Sequence, residues 1–230
     1  MKAIAIDTSN LTLGIALLDE TKVIGEYVTN LKKNHSVRAM PAVEWLMQEC
    51  DTKPEELERV IVAKGPGSYT GLRIGVSIAK TLAWTLNIPL VGVSSLEVLA
   101  AGGTFFNGFL CPLFDARRGQ VYTGLYEYGE NGVFMNCRKD QNVLLSDWLE
   151  ELKKEDKKIL FLGNDVSMHH EVILETLKSQ AVIASMTEHN PRPAMLGKIG
   201  LTKEPEDIHT FVPNYIRLAE AEVKWLEQQK

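Results

Sequence analysis

The sequence predicts an α/β protein made of two similar lobes, and three observations predict it. An order of three hairpin-like strands, then helix, strand and helix, occurs twice along the chain. Each round opens on an apolar strand ending in an acid, Asp7 in the first and Asp115 in the second. In the first round a glycine-rich turn, Gly65 to Gly75, joins a short apolar strand to a long helical pattern. A duplicated α/β unit explains this order better than chance succession does. The division is expected at residues 1–104 and 105–230, with the carboxyl-terminal helix returning to pack on the body.

The first round begins with Lys2-Ala3-Ile4-Ala5-Ile6-Asp7-Thr8-Ser9, an apolar strand closed by an acid and two hydroxyls. Leu11 to Leu18 and Val23 to Thr29 read as the next strands, with Asp19-Glu20-Thr21 turning between them. Ser36 is a candidate N-cap for a helix running to Cys50, in which Pro41 should remove one hydrogen bond and bend the axis. Pro54 to Leu57 reads as a short helical start. Val60-Ile61-Val62-Ala63 has a buried-strand pattern. The helix after the glycine turn runs from Leu72 to Leu86, where Asn87-Ile88-Pro89 stops it. Leu90 to Val93 is the last strand of this round.

The second round repeats the order. Phe109 to Asp115, Gln120 to Tyr128 and Val133 to Arg138 read as strands, and Leu145 to Lys154 as a helix. Ile159 to Leu162 is a strand, Val166 to Ser179 a helix, and Ala181 to Ala184 a strand. Pro193 to Leu201 is a compact helix. Phe211 to Arg217 and a helix from Ala219 to Gln228 are expected to clamp the lobes. Two such units packed face to face, with an acid at each first-strand end, describe the architecture of actin-like ATPases.

Composition narrows the function classes. A chain of 230 residues can bury a large core, and a net charge of −5 supplies no basic field for holding a polyanion alone. The lysines from Lys153 to Lys158 alternate with Glu155 and Asp156, as on a solvated face. Three cysteines without a C-x-x-C pair suit reduced thiols in a cytoplasm. Asp7 interrupts the first apolar stretch, which argues against a signal peptide, and no apolar run approaches the ~20 residues of a membrane span.

The glycine turn, Lys64-Gly65-Pro66-Gly67-Ser68-Tyr69-Thr70-Gly71-Leu72-Arg73-Ile74-Gly75, has the form of a phosphate site. It lacks the Gly-Lys-Ser/Thr ending of a Walker loop, and its glycines are spaced one residue wider than in G-x-G-x-x-G. Asp7, Thr8 and Ser9 could hold a hydrated Mg²⁺ beside a weakly bound ATP, or could simply close a hairpin turn. Asp115 could mirror them, but the second turn, Ala116-Arg117-Arg118-Gly119, is bulky and cationic. Gly163-Asn164-Asp165 could touch an adenine or be an ordinary turn. None of the five histidines makes an H-x-x-x-H pair, so no metal centre is expected. His169 and His170 should diverge by about 100° on a helix. Ser68 lies outside G-x-S-x-G, so no catalytic residue is assigned.

The helices suggest binding instead. On a wheel of about 100° per residue, Gly71, Gly75 and Ala79 form a small-residue ridge that lets another backbone approach. Interior helical glycine costs about 1 kcal/mol against alanine, so something should offset it. Arg73, Ser77, Lys80 and Trp84 form the opposite stripe, with a tryptophan on the polar side. Met40 belongs to a broad apolar arc on the first helix, and Val37 and Trp45 add apolar surface outside it. Either both helices are buried in the core, or they pack together and present a shared patch to a partner. In the second case Gly75→Trp or Met40→Asp should abolish pairing.

Ile6-Asp7-Thr8-Ser9, the block Gly65 to Gly75, Ser94-Ser95-Leu96, Asp115-Ala116-Arg117 and Pro213-Asn214-Tyr215 together resemble the bacterial TsaB family, also called YeaZ. The resemblance runs over essentially the whole chain. It implies a duplicated actin-like, Hsp70-like (ASKHA) fold and a catalytically degenerate relative of TsaD. It also implies a role in forming N6-threonylcarbamoyladenosine at position 37 of tRNAs that read codons beginning with A. In that pathway TsaD transfers the threonylcarbamoyl group from threonylcarbamoyl-AMP, TsaB pairs with TsaD through helices of the first lobe, and the ATPase TsaE joins them. The expectation is therefore a non-catalytic partner subunit that meets tRNA only through the complex and self-pairs as a homodimer when TsaD is absent. The competing readings are an actin-like ATPase or small-molecule kinase acting alone and, third, a metallopeptidase.

Overall fold

The computed structural model describes residues 1–216. Two five-stranded sheets share one strand order. The first runs β3-β2-β1-β4-β5, from β1 (Ala3–Asp7), β2 (Leu13–Leu18), β3 (Val23–Thr29), β4 (Arg59–Gly65) and β5 (Leu90–Ser94). The second runs β8-β7-β6-β9-β10, from β6 (Phe109–Asp115), β7 (Gln120–Tyr128), β8 (Phe134–Leu144), β9 (Ile159–Leu162) and β10 (Ala181–Ile183). In each, the first three strands are antiparallel, and the next two join parallel to the first. The repeated order is the duplication expected of the sequence.

The central strands are apolar on both faces, so each sheet is covered on both sides. On one side of the first sheet, Ile4, Ile6, Leu13, Ile15 and Val62 pack under α1 (Ala39–Glu49) and α2 (Tyr69–Leu86). On the other side, Ala3, Ala5, Ala16 and Ile61 meet Leu196 of α6 (Pro193–Thr202). The second sheet buries Cys111, Leu113 and Phe161 against α4 (Leu145–Leu152) and α5 (Val166–Leu177). Its opposite face meets Leu96, Leu99 and Ala100 of α3 (Ser95–Ala100).

The two lobes exchange helices. α3 follows the first sheet and packs on the second, whereas α6 follows the second sheet and packs on the first. After α6 the chain also stays with the first lobe: Glu206 N donates to the Leu90 carbonyl, Asn214 N to the Lys64 carbonyl, and Phe211 enters the first core. A division into 1–104 and 105–230 is therefore corrected, because the first lobe takes residues from both ends of the chain. The expected helix Ala219 to Gln228, with Arg217, lies outside the described residues.

Three local expectations change. A 3-10 turn, His35–Val37, precedes α1, which begins at Ala39 rather than Ser36. Pro41 is then the third helical residue, where an N–H would have no intrahelical acceptor, so no hydrogen bond is lost. The strand expected to end at Arg138 continues to Leu144. Helix α3 was not expected at all.

Candidate functional site

The two sheets meet around a cleft of about 1030 Å³ lined by residues of both lobes, among them Ser9, Lys32, Ser68, Asp115, Arg117 and Tyr215. Its first wall is the end of β1. Asp7, Thr8 and Ser9 do come together there, but each is engaged within the protein. Asp7 Oδ1 accepts from the Ser9 backbone N–H at 2.8 Å and from the Ser9 hydroxyl at 2.7 Å. Asp7 Oδ2 is buried without a hydrogen-bond partner. Burial pushes the Asp7 carboxyl above its ordinary pKa, against the opposing pull of the Ser9 bonds and the nearby His35. Thr8 Oγ1 donates to the Gly71 carbonyl at 2.7 Å, and Ser68 N donates to the Ser9 carbonyl at 2.7 Å. Of the three residues, only Ser9 lines the cleft.

The glycine turn explains this closure. A Cβ at Gly67 would overlap the Ser9 carbonyl, one at Gly71 the Thr8 carbonyl, and one at Gly75 the Thr8 hydroxyl. The glycines bring the first two turns of α2 against the β1–β2 loop, with the cleft on the outer side of Ser9, Gly67 and Ser68. Gly71, Gly75 and Ala79 are buried, so the ridge that should admit a partner's backbone admits this chain's own. Their assignment to a partner surface is corrected for that reason, and Gly75→Trp would test folding rather than pairing.

The second wall is the end of β6. Asp115 Oδ2 accepts from Arg117 N at 3.2 Å, and Asp165 Oδ2 accepts from Asp115 N at 2.9 Å. His169 Nε2 stands 3.4 Å from Asp115 Oδ1, while His170 points to solvent, as divergence on a helix requires. Arg117 and Arg118 both hold positive φ, 65° and 56°. Asn164 Nδ2 donates to Asn190 Oδ1 at 2.8 Å, so the Gly163-Asn164 turn is tied to the segment before α6. Among the described residues no cluster of three His, Cys, Asp or Glu side chains is arranged to hold a metal ion.

A third rim escaped sequence reasoning. The Tyr69 and Tyr215 rings pack at a 33° tilt with centroids 5.2 Å apart, the Arg73 guanidinium lies 4.1 Å from the centre of the Tyr69 ring, and Arg73 Nε donates to the Tyr215 hydroxyl at 3.1 Å. Lys80 Nζ donates to the Phe211 carbonyl at 2.9 Å. Arg73 and Lys80 thus fasten the segment 211–215 along α2.

The outer surface of the α1–α2 layer is apolar at separate points. Val37, Met40, Trp45 and Trp84 are all exposed, Trp84 at 69%. Trp45 is braced edge-on by Tyr27 of β3 at 5.8 Å. The two helices share one core cluster beneath, with Leu46 and Met47 of α1 and Val76 and Ala83 of α2 buried in it. The inner faces of both helices are core, and Val37, Met40, Trp45, Arg73 and Trp84 remain outside.

A family model described as "TsaD: tRNA N6-adenosine threonylcarbamoyltransferase" matches residues 22–225. The chain is 59% identical over 230 residues to the tRNA threonylcarbamoyladenosine biosynthesis protein TsaB of Bacillus subtilis, covering 100% of both chains. A solved structure of YeaZ from Pseudomonas aeruginosa superposes with a TM-score of 0.77 at 21% identity, over 93% of this chain and 99% of that one. The ethanolamine utilization protein EutJ of Carboxydothermus hydrogenoformans superposes with a TM-score of 0.52 at 11% identity, over 87% and 90%. The two structural likenesses bear on fold alone, and with the repeated strand order they make it the duplicated actin-like, ASKHA-type fold. No helix among the described residues is long and apolar enough to cross a membrane.

Proposed function

The chain belongs to the TsaB family, and we propose that it is a non-catalytic subunit in the formation of N6-threonylcarbamoyladenosine on tRNA. It acts by pairing with a TsaD-type transferase, with TsaE joining the pair, and it shapes the transferase's site rather than carrying the transferred group. The observation that carries this reading is the contrast between its two surfaces. At the β1 turn, where an actin-like ATPase would meet phosphate, Asp7 and Thr8 are buried and held by Ser9 and the Gly71 carbonyl. The outer layer of α1 and α2, by contrast, leaves Val37, Met40, Trp45 and Trp84 in solvent. Exposed tryptophan and methionine near a well-packed helical layer are the usual anchors of protein pairing.

Helices on such a face suit a helical-bundle contact with the equivalent helices of a related lobe. The same face would self-pair in a homodimer when the transferase is absent. The net charge of −5 supports contact with tRNA through the complex rather than by this chain alone. The reading implies a cytoplasmic protein.

Reconstitution tests it. Threonylcarbamoyl transfer to tRNA is measured with TsaD and TsaE, with and without this chain. The expected result is transfer that depends on the chain, together with no ATP or phosphoryl turnover by the chain alone. Equal transfer in its absence, or turnover of Mg-ATP by the isolated chain, would replace this reading with that of a free-standing ATPase or kinase.

A further inference from the structure

Strand β8 carries a bulge. Thr123 of β7 pairs with Gln141 and Leu125 with Arg138, so Lys139 and Asp140 both stand opposite Gly124. A bulge re-aims a side chain out of the regular alternation of its strand. Here it turns Asp140 across Gly124, where a Cβ would come within 2.7 Å of Asp140 Oδ1. Glycine at that position leaves the carboxylate its path. Asp140 then reaches the other lobe: its Oδ2 accepts from the hydroxyl of Ser94 at the end of β5, and its Oδ1 accepts from the Tyr126 hydroxyl of β7.

Ser94 is at the same time the N-cap of α3. Its Oγ accepts from Leu96 N at 3.2 Å and Glu97 N at 3.3 Å. The adjacent Ser95 Oγ accepts from Gly65 N at 3.2 Å, at the head of the turn that forms one lip of the cleft. One line of contacts therefore runs by hydrogen bonds from Tyr126 through Asp140 in the second sheet to Ser94, along the chain to Ser95, and by a further hydrogen bond to Gly65 in the first. A separate tie between the lobes, Thr12 and Asn164 sharing Asn190 Oδ1 at 3.2 and 2.8 Å, does not involve these groups. The lobes would thus stay joined if the first line opened.

We propose that Asp140 is a latch between the lobes, holding α3 and the Gly65–Ser68 turn in register so that its release loosens the cleft at that lip. A carboxylate gripping a helix cap from the opposite lobe is a two-position contact: gripped, it fixes the cap hydroxyl; released, the cap and the turn behind it are free to move together.

Hydrogen exchange on the full chain tests the latch. Asp140→Ala should speed exchange of the amides of Gly65, Leu96 and Glu97 by about tenfold, with the interiors of β1 and α2 unchanged. Tyr126→Phe, which keeps the ring and the Ser94–Asp140 bond, should give a smaller increase at the same amides. Should Asp140→Ala fail to fold, Asp140→Asn, which keeps the shape but not the charge, should still speed them by about threefold. Unchanged exchange at Gly65, Leu96 and Glu97, or an increase spread evenly over both lobes, overturns the proposal.

Discussion

The Thr8 hydroxyl donates to the Gly71 carbonyl across 2.7 Å, and the absent side chain of Gly75 leaves room for that same hydroxyl. The end of β1 and the start of α2 are thus built as one unit. Alanine should gain about 1 kcal/mol of helix propensity over glycine at either position. Here that gain is outweighed, because the new methyl group would overlap the Thr8 carbonyl at Gly71, which is backbone and cannot swing aside. Gly71→Ala is expected to destabilise the protein by about 2 to 3 kcal/mol in urea titration. Gly75→Ala should cost less, because its nearest atom belongs to a side chain. Equal or greater stability of Gly71→Ala would mean that α2 can step back from β1.

Asp7 supports a prediction about pH. Its carboxyl is buried and held above the ordinary value of 3.8, with burial the leading cause. An acid that binds its proton more tightly folded than unfolded lowers stability as pH rises from the unfolded value through the folded one. Asp7→Asn keeps an oxygen to accept from Ser9 and removes that charge. Its melting temperature should therefore match the parent near pH 4 and exceed it by pH 8. A difference that stays constant across this range would show that Asp7 carries no burial penalty on its charge.

Trp84 and Met40 separate binding from folding. Both are exposed on the α1–α2 layer, so Trp84→Lys and Met40→Asp should stay within about 0.5 kcal/mol of the parent in stability. If this layer is the pairing surface, Trp84→Lys should weaken binding to a TsaD-type partner about 30-fold or more, as loss of an aromatic anchor does. Calorimetry reads both quantities on one sample. Undiminished affinity in both variants would move the pairing surface elsewhere.

Much of this fold was legible because its strands are apolar on both faces and bounded by turn residues. Val60 to Ala63, Ile159 to Leu162 and the Asp7/Asp115 pair marked the duplication by their order along the chain, with little likeness residue by residue. Helix α3 was not legible: six residues, apolar almost throughout, give no helical period. The available signal was local, Ser94 followed three residues later by Glu97, the pattern of a capping box. β8 was read short because Lys139 to Asn142 are polar and lie on an edge strand with a bulge. The glycine ridge was legible as a close approach, but periodicity on one helix does not say whose backbone approaches. Only the contact with Thr8 settles that. The latch at Asp140 depends on a bulge, a glycine and a serine from three strands, a juxtaposition that only the folded chain creates.

The three thiols should be distinguishable by reactivity. Cys111 is fully buried, receives the Trp148 indole N–H at 3.3 Å and lies 3.3 Å from the Thr123 hydroxyl. Burial pushes its pKa up to about 11, and the two hydrogen bonds offset only part of that. At pH 8.5 it is then both inaccessible and almost wholly protonated, so alkylation must wait for the second lobe to open. Cys137 is exposed and Cys50 partly so, packed against Gly25. Burial raises both of their pKa values as well, so access rather than acidity sets their order. Mass spectrometry after timed iodoacetamide treatment should find Cys137 modified first, Cys50 later, and Cys111 only at the rate of global unfolding. Adding denaturant to the transition midpoint should speed Cys111 labelling by orders of magnitude while changing Cys137 little. Labelling of Cys111 alongside Cys137 in buffer would mean that α4 lifts from the second sheet far more readily than its buried Trp148 and Leu149 imply.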